Sequence, residues 1–323
     1  MSRRVGDGMV GAVGRSVGAA ALTGVMALAG VAGAGAQATP VGGIAATPAS
    51  GECEAPEGTP DMAAMASPMA SPAADEAAPA ATPVGDEATI EAATAAAENL
   101  ANCWNAGDLD AVLGLVTPNL LQTKFGVADA EEAAEVLGGM ETLPAYAIID
   151  TGDVQTYEDG RASLDFEYLL GEHQYTAARW YMVEANGRLL IDEEELLLPQ
   201  PDVEASSVIG VAFADDESPV AYGQGADEET GGRAVPLLPA IILNADNSAG
   251  TERRFLSVVR VPEDEAGTPV TELPEGDFVA QISLAAGDQA DVALVNLEPG
   301  EYAIGEPGGP SVPLTITEAE PEA

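Results

Sequence analysis

The spacing of apolar residues changes once along the chain, at Pro199-Gln200-Pro201. Before this point apolar residues recur first at helical spacing and then at alternate positions, whereas only alternating runs and Gly/Pro turns follow it. Helices followed by strands predict an α+β domain over residues 86–199. The strands beyond it predict an all-β Greek-key sandwich over residues 202–318, followed by an acidic tail at 319–323.

The first 36 residues have the parts of a secretory signal segment. Arg3, Arg4 and Arg15 form a basic start, an uncharged stretch runs over Ser16–Ala36, and Ala34-Gly35-Ala36 offers a cleavage site. The alternative is an uncleaved membrane anchor, against which the several glycines of the stretch argue. The segment predicts export, with the protein secreted or held at the cell surface and touching a membrane only through an uncleaved signal.

Residues 37–85 repeat short proline motifs and contain no aromatic residue. Ala-Thr-Pro occurs at 38–40, 46–48 and 81–83, and Ala-Ser-Pro occurs at 66–68 and 70–72. Such a stretch buries too little apolar surface to offset the entropy lost on ordering, so we predict a disordered linker.

The chain carries 54 acidic and 11 basic residues, a formal net charge of −43. Binding of nucleic acid or anionic lipid requires basic side chains that neutralise phosphate groups, so the charge excludes both as favoured partners. The remaining partners are an unidentified small molecule or a component of the cell envelope.

The two cysteines, Cys53 and Cys103, suit an oxidising compartment. Paired, they would close a loop of about 50 residues, worth ~4 kcal/mol on the chain-entropy model. The alternative leaves Cys103 as a small buried helix residue and Cys53 free.

Three helical stretches and five strands fill the predicted α+β domain. Asp86 and Asp108 stand where helix caps belong, Gly107 ends the first helix, and Pro118 ends the second. A third helix is predicted over residues 129–137. The predicted strands are Ala145–Thr151, Asp153–Glu158, Ala162–Leu170, His173–Glu184 and Arg188–Leu197.

Two segments of this domain carry a family resemblance. One is Cys103-Trp104-Asn105-Ala106-Gly107-Asp108-Leu109-Asp110-Ala111, and the other is Trp180-Tyr181-Met182-Val183-Glu184-Ala185-Asn186-Gly187-Arg188-Leu189-Leu190-Ile191-Asp192. They resemble the opening helix–turn–helix and the last hairpin of the NTF2-like (SnoaL-like) superfamily. The resemblance implies a sheet curled round a cone-shaped pocket. Some members are isomerases, cyclases or hydrolases, and many have no catalysis.

Catalysis of the ketosteroid-isomerase kind would require a carboxylate base facing a hydrogen-bond donor in an apolar pocket. The candidates are His173, Asp165 and Tyr175. Asp165 and Glu167 share one face of a predicted strand, and His173 and Tyr175 share a face of the next. The alternative, which we favour, is a solvated histidine beside a hairpin without a catalytic role.

The second domain shows seven predicted strands with Gly/Pro turns between them. They are Ser206–Phe213, Val235–Asn244, Arg253–Val261, Asp277–Leu284, Ala290–Leu297, Glu301–Ile304 and Pro310–Thr317.

The sequence of this domain resembles the cupredoxin-like family. The residues that carry the resemblance are Ile241-Ile242-Leu243-Asn244 leading to Arg253-Arg254-Phe255-Leu256-Ser257-Val258-Val259, then Leu284-Ala285-Ala286-Gly287-Asp288, and Leu297-Glu298-Pro299-Gly300-Glu301-Tyr302-Ala303-Ile304. The resemblance implies a β-sandwich with a type 1 copper site.

Type 1 copper requires two histidines and a cysteine thiolate. The only histidine is His173, and no cysteine follows Cys103. Arg253 and Arg254 stand around the first ligand position, and Gly305-Glu306-Pro307-Gly308-Gly309 follows the strand that would enter the copper loop. The sequence therefore predicts no copper in this domain and no other cofactor.

A weaker metal candidate lies between two predicted strands. Asn244, Asp246, Ser248 and Glu252 place oxygen atoms at alternating positions, as in a calcium loop, although Gly250 is displaced from the expected sixth place. The alternative is an ordinary polar hairpin loop.

Beyond the predicted signal segment, the sequence contains no nucleophile elbow, phosphate loop, HExxH or CxxC pair. We therefore expect an exported, non-enzymatic protein that binds a ligand or a cell-envelope component. The alternative is a small-molecule enzyme or carrier that uses the pocket of the first domain.

Overall fold

The computed structural model describes residues 44, 46–55, 82–83, 86–138, 143–185, 187–201, 205–213, 219–222, 233–236, 240–263, 266, 272–274 and 276–318. The predicted signal segment, the tail at 319–323 and most of the predicted linker lie outside these residues.

The helices come first and begin at side-chain caps. Asp86 accepts a hydrogen bond from the Thr89 amide at 2.8 Å, and Asp108 accepts one from the Ala111 amide at 3.0 Å. Gly107, with a φ of 69°, ends the first helix in the left-handed region. The helices are α1 (Glu87–Ala106), α2 (Leu109–Leu113), α3 (Pro118–Leu120), a π-helix (Leu121–Phe125) and α4 (Ala130–Gly138).

The second predicted helix was wrong at its end, because α2 stops at Leu113 and Pro118 opens α3. Proline fits the first position of a helix, where its missing N–H would have no partner. In the described part of the chain, no helix combines the length and hydropathy needed to cross a membrane.

Four antiparallel strands follow the helices, and the short strand β1 (Thr82–Pro83) lies beside the first of them. They are β2 (Tyr146–Thr156), β3 (Ala162–Leu170), β4 (Gln174–Ala185) and β5 (Arg188–Leu197). Ala145–Thr151 and Asp153–Glu158, predicted as two strands, are the single strand β2. Irregular pairing near Asp150 and between Thr151 and Val154 explains the break in the sequence pattern.

The described residues after β5 are mostly β. Its strands are β6 (Ala205–Phe213), β7 (Pro219–Tyr222), β8 (Arg233–Pro236), β9 (Ala240–Asp246), β10 (Arg254–Arg260), β11 (Asp277–Leu284), β12 (Gln289–Val295), β13 (Gly300–Gly305) and β14 (Ser311–Thr317). One sheet has the order β11-β10-β13-β14-β8, and β12-β9-β6-β7 faces it. One apolar core, drawn from both sheets, holds this sandwich together.

Val235–Asn244, predicted as one strand, is divided between β8 and β9, which belong to different sheets. Val235 and Ile241 nevertheless pack in the same core, so the apolar pattern runs on across the break. Pro236 ends β8, since proline has no N–H to donate to a sheet.

The helix-containing part of the chain, from α1 to β5, and the sandwich, from β6 to β14, are called the two units here. They share one sheet, although the sequence predicted separate domains. The C-terminal part of β4 pairs with β5, and its first residues pair with β12 of the sandwich. Tyr175 lies opposite Ala293, and the Val295 amide donates to the His173 carbonyl at 2.9 Å. As far as the chain is described, a sheet of nine strands therefore runs through both units.

Part of the predicted disordered linker is ordered against this framework. We call residue 44 and residues 46–55 the strap. Cys53 forms a disulfide with Cys103 of α1, with the two Cα atoms 4.5 Å apart. At the other end, Ile44 exchanges two hydrogen bonds of 2.9 Å with the Asn296 side chain, beyond β12.

Candidate functional site

Aromatic side chains fill the space between the helices and β2–β5. The Tyr146 and Tyr168 rings stack with centroids 4.7 Å apart, and the Phe166 ring lies 5.3 Å from Tyr168 and 4.2 Å from Trp180. Their strands present alternate residues to the helices, so the rings form one continuous surface.

A carboxylate lies within this aromatic surface. Glu194, on β5 directly opposite Trp180, has a side chain only 9% exposed. It accepts a hydrogen bond from Trp180 Nε1 at 3.0 Å and from Lys124 Nζ at 2.5 Å. Tyr146, Tyr168, Trp180, Glu194 and Lys124 together form what we call the interior cluster.

A bulge in β5 brings Glu194 and Lys124 together. The register between β4 and β5 shifts beside Tyr181, which leaves Asp192 as the additional residue of β5. Asp192 accepts hydrogen bonds from the Thr117 hydroxyl at 2.6 Å and from Asn119 Nδ2 at 3.0 Å. These bonds hold the start of α3, which continues into the π-helix that carries Lys124. Single-turn π-helices occur frequently at functional sites.

The Tyr146 hydroxyl is a buried group without a hydrogen-bond partner among the described residues. Tyr146 is 6% exposed, and its ring packs against Trp104 as well as Tyr168. Buried hydroxyls in native proteins nearly always have a partner, so the partner of this one is a water molecule, a ligand or a residue beyond the described ones.

Both tyrosines of the interior cluster resist ionisation. Burial is the main cause that raises the pKa of Tyr146 and of Tyr168 well above 10.0, and the negative charge of Glu194 adds to it in each case. Their hydroxyls therefore remain protonated hydrogen-bond donors at neutral pH.

We expect the free energy of unfolding to fall as the pH rises above 10. Tyr146 and Tyr168 ionise there in the unfolded chain but stay protonated in the folded protein, so their ionisation favours the unfolded state. Tyr146 and Tyr168 should ionise together with unfolding, in a step later than the exposed tyrosines. Tyrosinate absorbance and circular dichroism, followed in one alkaline titration, check this. Complete ionisation of all 7 tyrosines while the fold is intact would contradict it.

The three predicted catalytic residues lie outside the interior cluster, each with a different partner. Asp165 binds the Arg179 guanidinium through two hydrogen bonds of 2.6 and 2.8 Å. The Tyr175 hydroxyl donates to Glu167, and His173 Nδ1 lies 3.1 Å from the Val295 carbonyl oxygen.

The predicted calcium ligands take part in a turn. Asp246 accepts hydrogen bonds from the Ser248 amide at 2.8 Å and from Gln289 Nε2 at 2.9 Å, while Asn244 Nδ2 donates to Asp291. Among the residues the structure describes, no group of three His, Cys, Asp or Glu could hold a metal ion, and Glu252 belongs to no such group. The hydrogen bonds of Ser248 lower the pKa of Asp246.

A surface cavity of about 370 Å³ opens beside Arg260, Asp277 and Glu298. Arg260 Nη1 donates to Glu298 at 2.6 Å across it. The two charges of this exposed pair neutralise each other.

No protein-family model and no curated protein matches the sequence. Among solved structures, cupredoxin-like proteins match the C-terminal β region. Auracyanin from the photosynthetic bacterium Roseiflexus castenholzii is 16% identical, with 35% of this chain and 99% of that chain covered and a TM-score of 0.25. Auracyanin B is 17% identical, with 36% of this chain and 92% of that chain covered and a TM-score of 0.25. Copper nitrite reductase from Nitrosomonas europaea is 12% identical, with 55% of this chain and 75% of that chain covered and a TM-score of 0.22. Similarity at these scores does not assign a function.

The side chains near the expected copper position do not fit type 1 copper. Arg254 Nη1 donates to Glu306 at 2.9 Å, and the Arg254 guanidinium lies 5.7 Å from the centre of the Phe213 ring. Both cysteines are used in the disulfide of the other unit. A guanidinium cannot replace an imidazole as a ligand, so no step of a mechanism is assigned to copper.

Sequence patterns did not reveal the interior cluster. Lys124 is the only lysine of the chain, which offered one signal. Glu194 lies in the acidic run Asp192-Glu193-Glu194-Glu195, where alternation counted from Ile191 predicts that Glu193 and Glu195 face inward. The bulge at Asp192 reverses that alternation.

Proposed function

We propose that this chain is an exported, non-enzymatic protein that binds a small neutral aromatic molecule at the interior cluster. The buried Tyr146 hydroxyl, which has no partner among the described residues, carries the proposal. The aromatic rings supply apolar contact, and the hydroxyl supplies one hydrogen bond to an acceptor on the ligand.

Charge favours a neutral ligand. Lys124 neutralises Glu194, so the cluster itself has no surplus positive charge to attract an anion. The net charge of −43 repels anions further.

The same contacts support binding rather than catalysis. A general base must be free to take a proton, whereas Glu194 accepts from Trp180 and Lys124, and both tyrosines stay protonated. His173, Asp165 and Tyr175, the residues that sequence suggested for acid–base chemistry, are bonded elsewhere.

Export and the finer fold assignments belong to the proposal. The basic, apolar and small-residue parts of segment 1–36 support export, as does a disulfide, which oxidising compartments favour. Helices packed on an antiparallel sheet support an NTF2-like cone for the first unit, and two facing sheets support a cupredoxin-like, Greek-key sandwich for the second.

Titration with prodan, a neutral fluorescent naphthyl ketone, tests the proposed site. We expect saturable binding of one molecule per chain, with a blue-shifted emission that reports an apolar environment. Tyr146→Phe should weaken this binding about tenfold, the value of one hydrogen bond of about 1.4 kcal/mol. Absence of saturable binding, or equal affinity in the variant, would refute the proposed function.

The stability of the same variant provides a separate check. Because the Tyr146 hydroxyl has no partner among the described residues, Tyr146→Phe should leave the free energy of unfolding unchanged or raise it by up to about 1 kcal/mol. The matched control is Tyr302→Phe, because the Tyr302 hydroxyl donates to the Glu298 carbonyl at 2.8 Å and accepts from the Glu298 amide at 3.3 Å, both in partly buried surroundings. We expect the control to cost about 1 kcal/mol in urea unfolding. A comparable loss in Tyr146→Phe would reveal a partner inside the protein.

A further inference from the structure

The strap covers one open edge of the long sheet. Strand β2 pairs with β3 on one side, and on the other side its regular partner in the described part of the chain is β1, of two residues. The N–H and C=O of Tyr146 point to this open edge. They bond to Asn105 Oδ1 at 2.7 Å and to the Ala49 amide at 3.3 Å. An uncovered edge of this kind would be a template for pairing with another chain.

Asparagines of α1 form the second wall of the strap's binding groove. They are spaced three residues apart, so they lie on one face of the helix. Their side-chain amides bond to the strap backbone at Ala49, Gly51 and Glu54 over distances of 2.8 to 3.0 Å. The asparagines are Asn99, Asn102 and Asn105.

The strap also crosses onto the opposite face of the sheet. Ile44 and Ala46 pack there against residues of both units, including Ala147 of β2 and Ala293 of β12. The strap is therefore bound by main-chain hydrogen bonds, apolar contacts and one disulfide. This is how an extended peptide binds to a sheet edge.

The two Ala-Thr-Pro repeats that reach the described part of the chain lie on this same edge. The repeat at 46–48 belongs to the strap, and Thr82–Pro83 of the repeat at 81–83 pairs with Gln155 and Thr156 of β2. Proline has no N–H to donate. A segment that ends in proline therefore covers the edge of β2 without presenting a new hydrogen-bonding edge to a further strand.

We propose that the groove between α1 and the open edge of β2 is a docking site for the strap of a second copy of this chain. Residues 56–81 separate the strap from β1, and these 26 residues can span up to about 85 Å. The tether is therefore long enough to reach a neighbouring molecule. The disulfide fixes the strap within its own chain, and its reduction permits exchange.

Exchange leads to a disulfide between two chains. The Cys53 thiolate of one copy attacks glutathione disulfide and releases one glutathione, and Cys103 of the other copy then attacks the mixed disulfide and releases a second. Two thiols are oxidised and one glutathione disulfide is reduced. The high effective concentration of a tethered strap favours the intramolecular product at low protein concentration.

The test uses the full chain in an equal mixture of nitrogen-15-labelled and unlabelled protein. The mixture is reduced, reoxidised with glutathione disulfide at increasing protein concentration, and mapped by mass spectrometry of its disulfide-linked peptides. We expect Cys53–Cys103 peptides that join labelled to unlabelled chains, in a fraction that rises with concentration. They should exceed intermolecular Cys53–Cys53 peptides several-fold, because the groove guides the pairing.

Two variants separate docking from random collision. Asn105→Ala removes the side chain that bonds to both the strap and β2, so it should reduce the excess of Cys53–Cys103 over Cys53–Cys53 pairs. Asn244→Ala, in the sandwich, should leave that ratio unchanged. The proposal fails if no peptide joins labelled and unlabelled chains, or if the two kinds of intermolecular pair form equally. An unchanged ratio in Asn105→Ala would also overturn it.

Discussion

Cys53→Ser is expected to lower the free energy of unfolding by about 4 kcal/mol. The cysteines are 50 positions apart, and a closed loop of that length restricts the unfolded chain by about this amount on the chain-entropy model. The serine also leaves the strap held only by hydrogen bonds and apolar contacts. Guanidinium unfolding followed by circular dichroism measures the change.

The control for this prediction is the unchanged protein in the presence of a reductant. Reduced protein and Cys53→Ser should unfold at the same denaturant concentration, and the variant itself should not respond to reductant. A loss below about 1 kcal/mol would mean that the unfolded chain is already compact around these residues.

Trp180→Ala is expected to cost about 3–5 kcal/mol, the usual range for removing a large buried aromatic side chain. Trp180 is 3% exposed, its ring lies 4.2 Å from Phe166, and its Nε1 donates to Glu194. The variant creates a cavity in the aromatic surface and removes a donor from a buried carboxylate. Urea unfolding followed by circular dichroism provides the measurement.

Trp180→Phe divides this loss into its two causes. The phenylalanine keeps most of the apolar contact and loses only the N–H, so we expect a cost of about 1–3 kcal/mol. Trp104→Ala is the second comparison. Trp104 is half-buried and donates to the Pro144 carbonyl, so its loss should be smaller than that of Trp180→Ala. Equal losses of unfolding free energy in the two variants would contradict a larger contribution of Trp180 to stability.

Local signals predicted much of the fold. Asp86 and Asp108 capped helices where the sequence placed caps, and β3 has the predicted bounds of Ala162–Leu170. These features depend on neighbours within a few residues. Pairing over long distances was missed, including the union of β4 with β12 and the division of Val235–Asn244 between two sheets.

The candidate site was not predictable for the same reason. Glu194 turns inward because Asp192 is an additional residue in β5, and hydrogen bonds from Thr117 and Asn119, more than seventy positions away, hold that residue in place. No local pattern records such a contact. The order of the strap was not predicted, because its composition is that of a linker. The possible Cys53–Cys103 pair was the one signal in the sequence, and the contacts with asparagines on α1 left none.

The pairing of β4 with β12 sets an order of events during synthesis. Tyr175 leaves the ribosome 118 positions before its partner Ala293. At 5–20 residues per second the delay is about 6–24 s. Throughout that interval the first residues of β4 have β3 as their partner strand on one side, while their second partner, β12, has not yet been made. The sheet of the helical half therefore stays open at this edge until nearly the whole chain has been made.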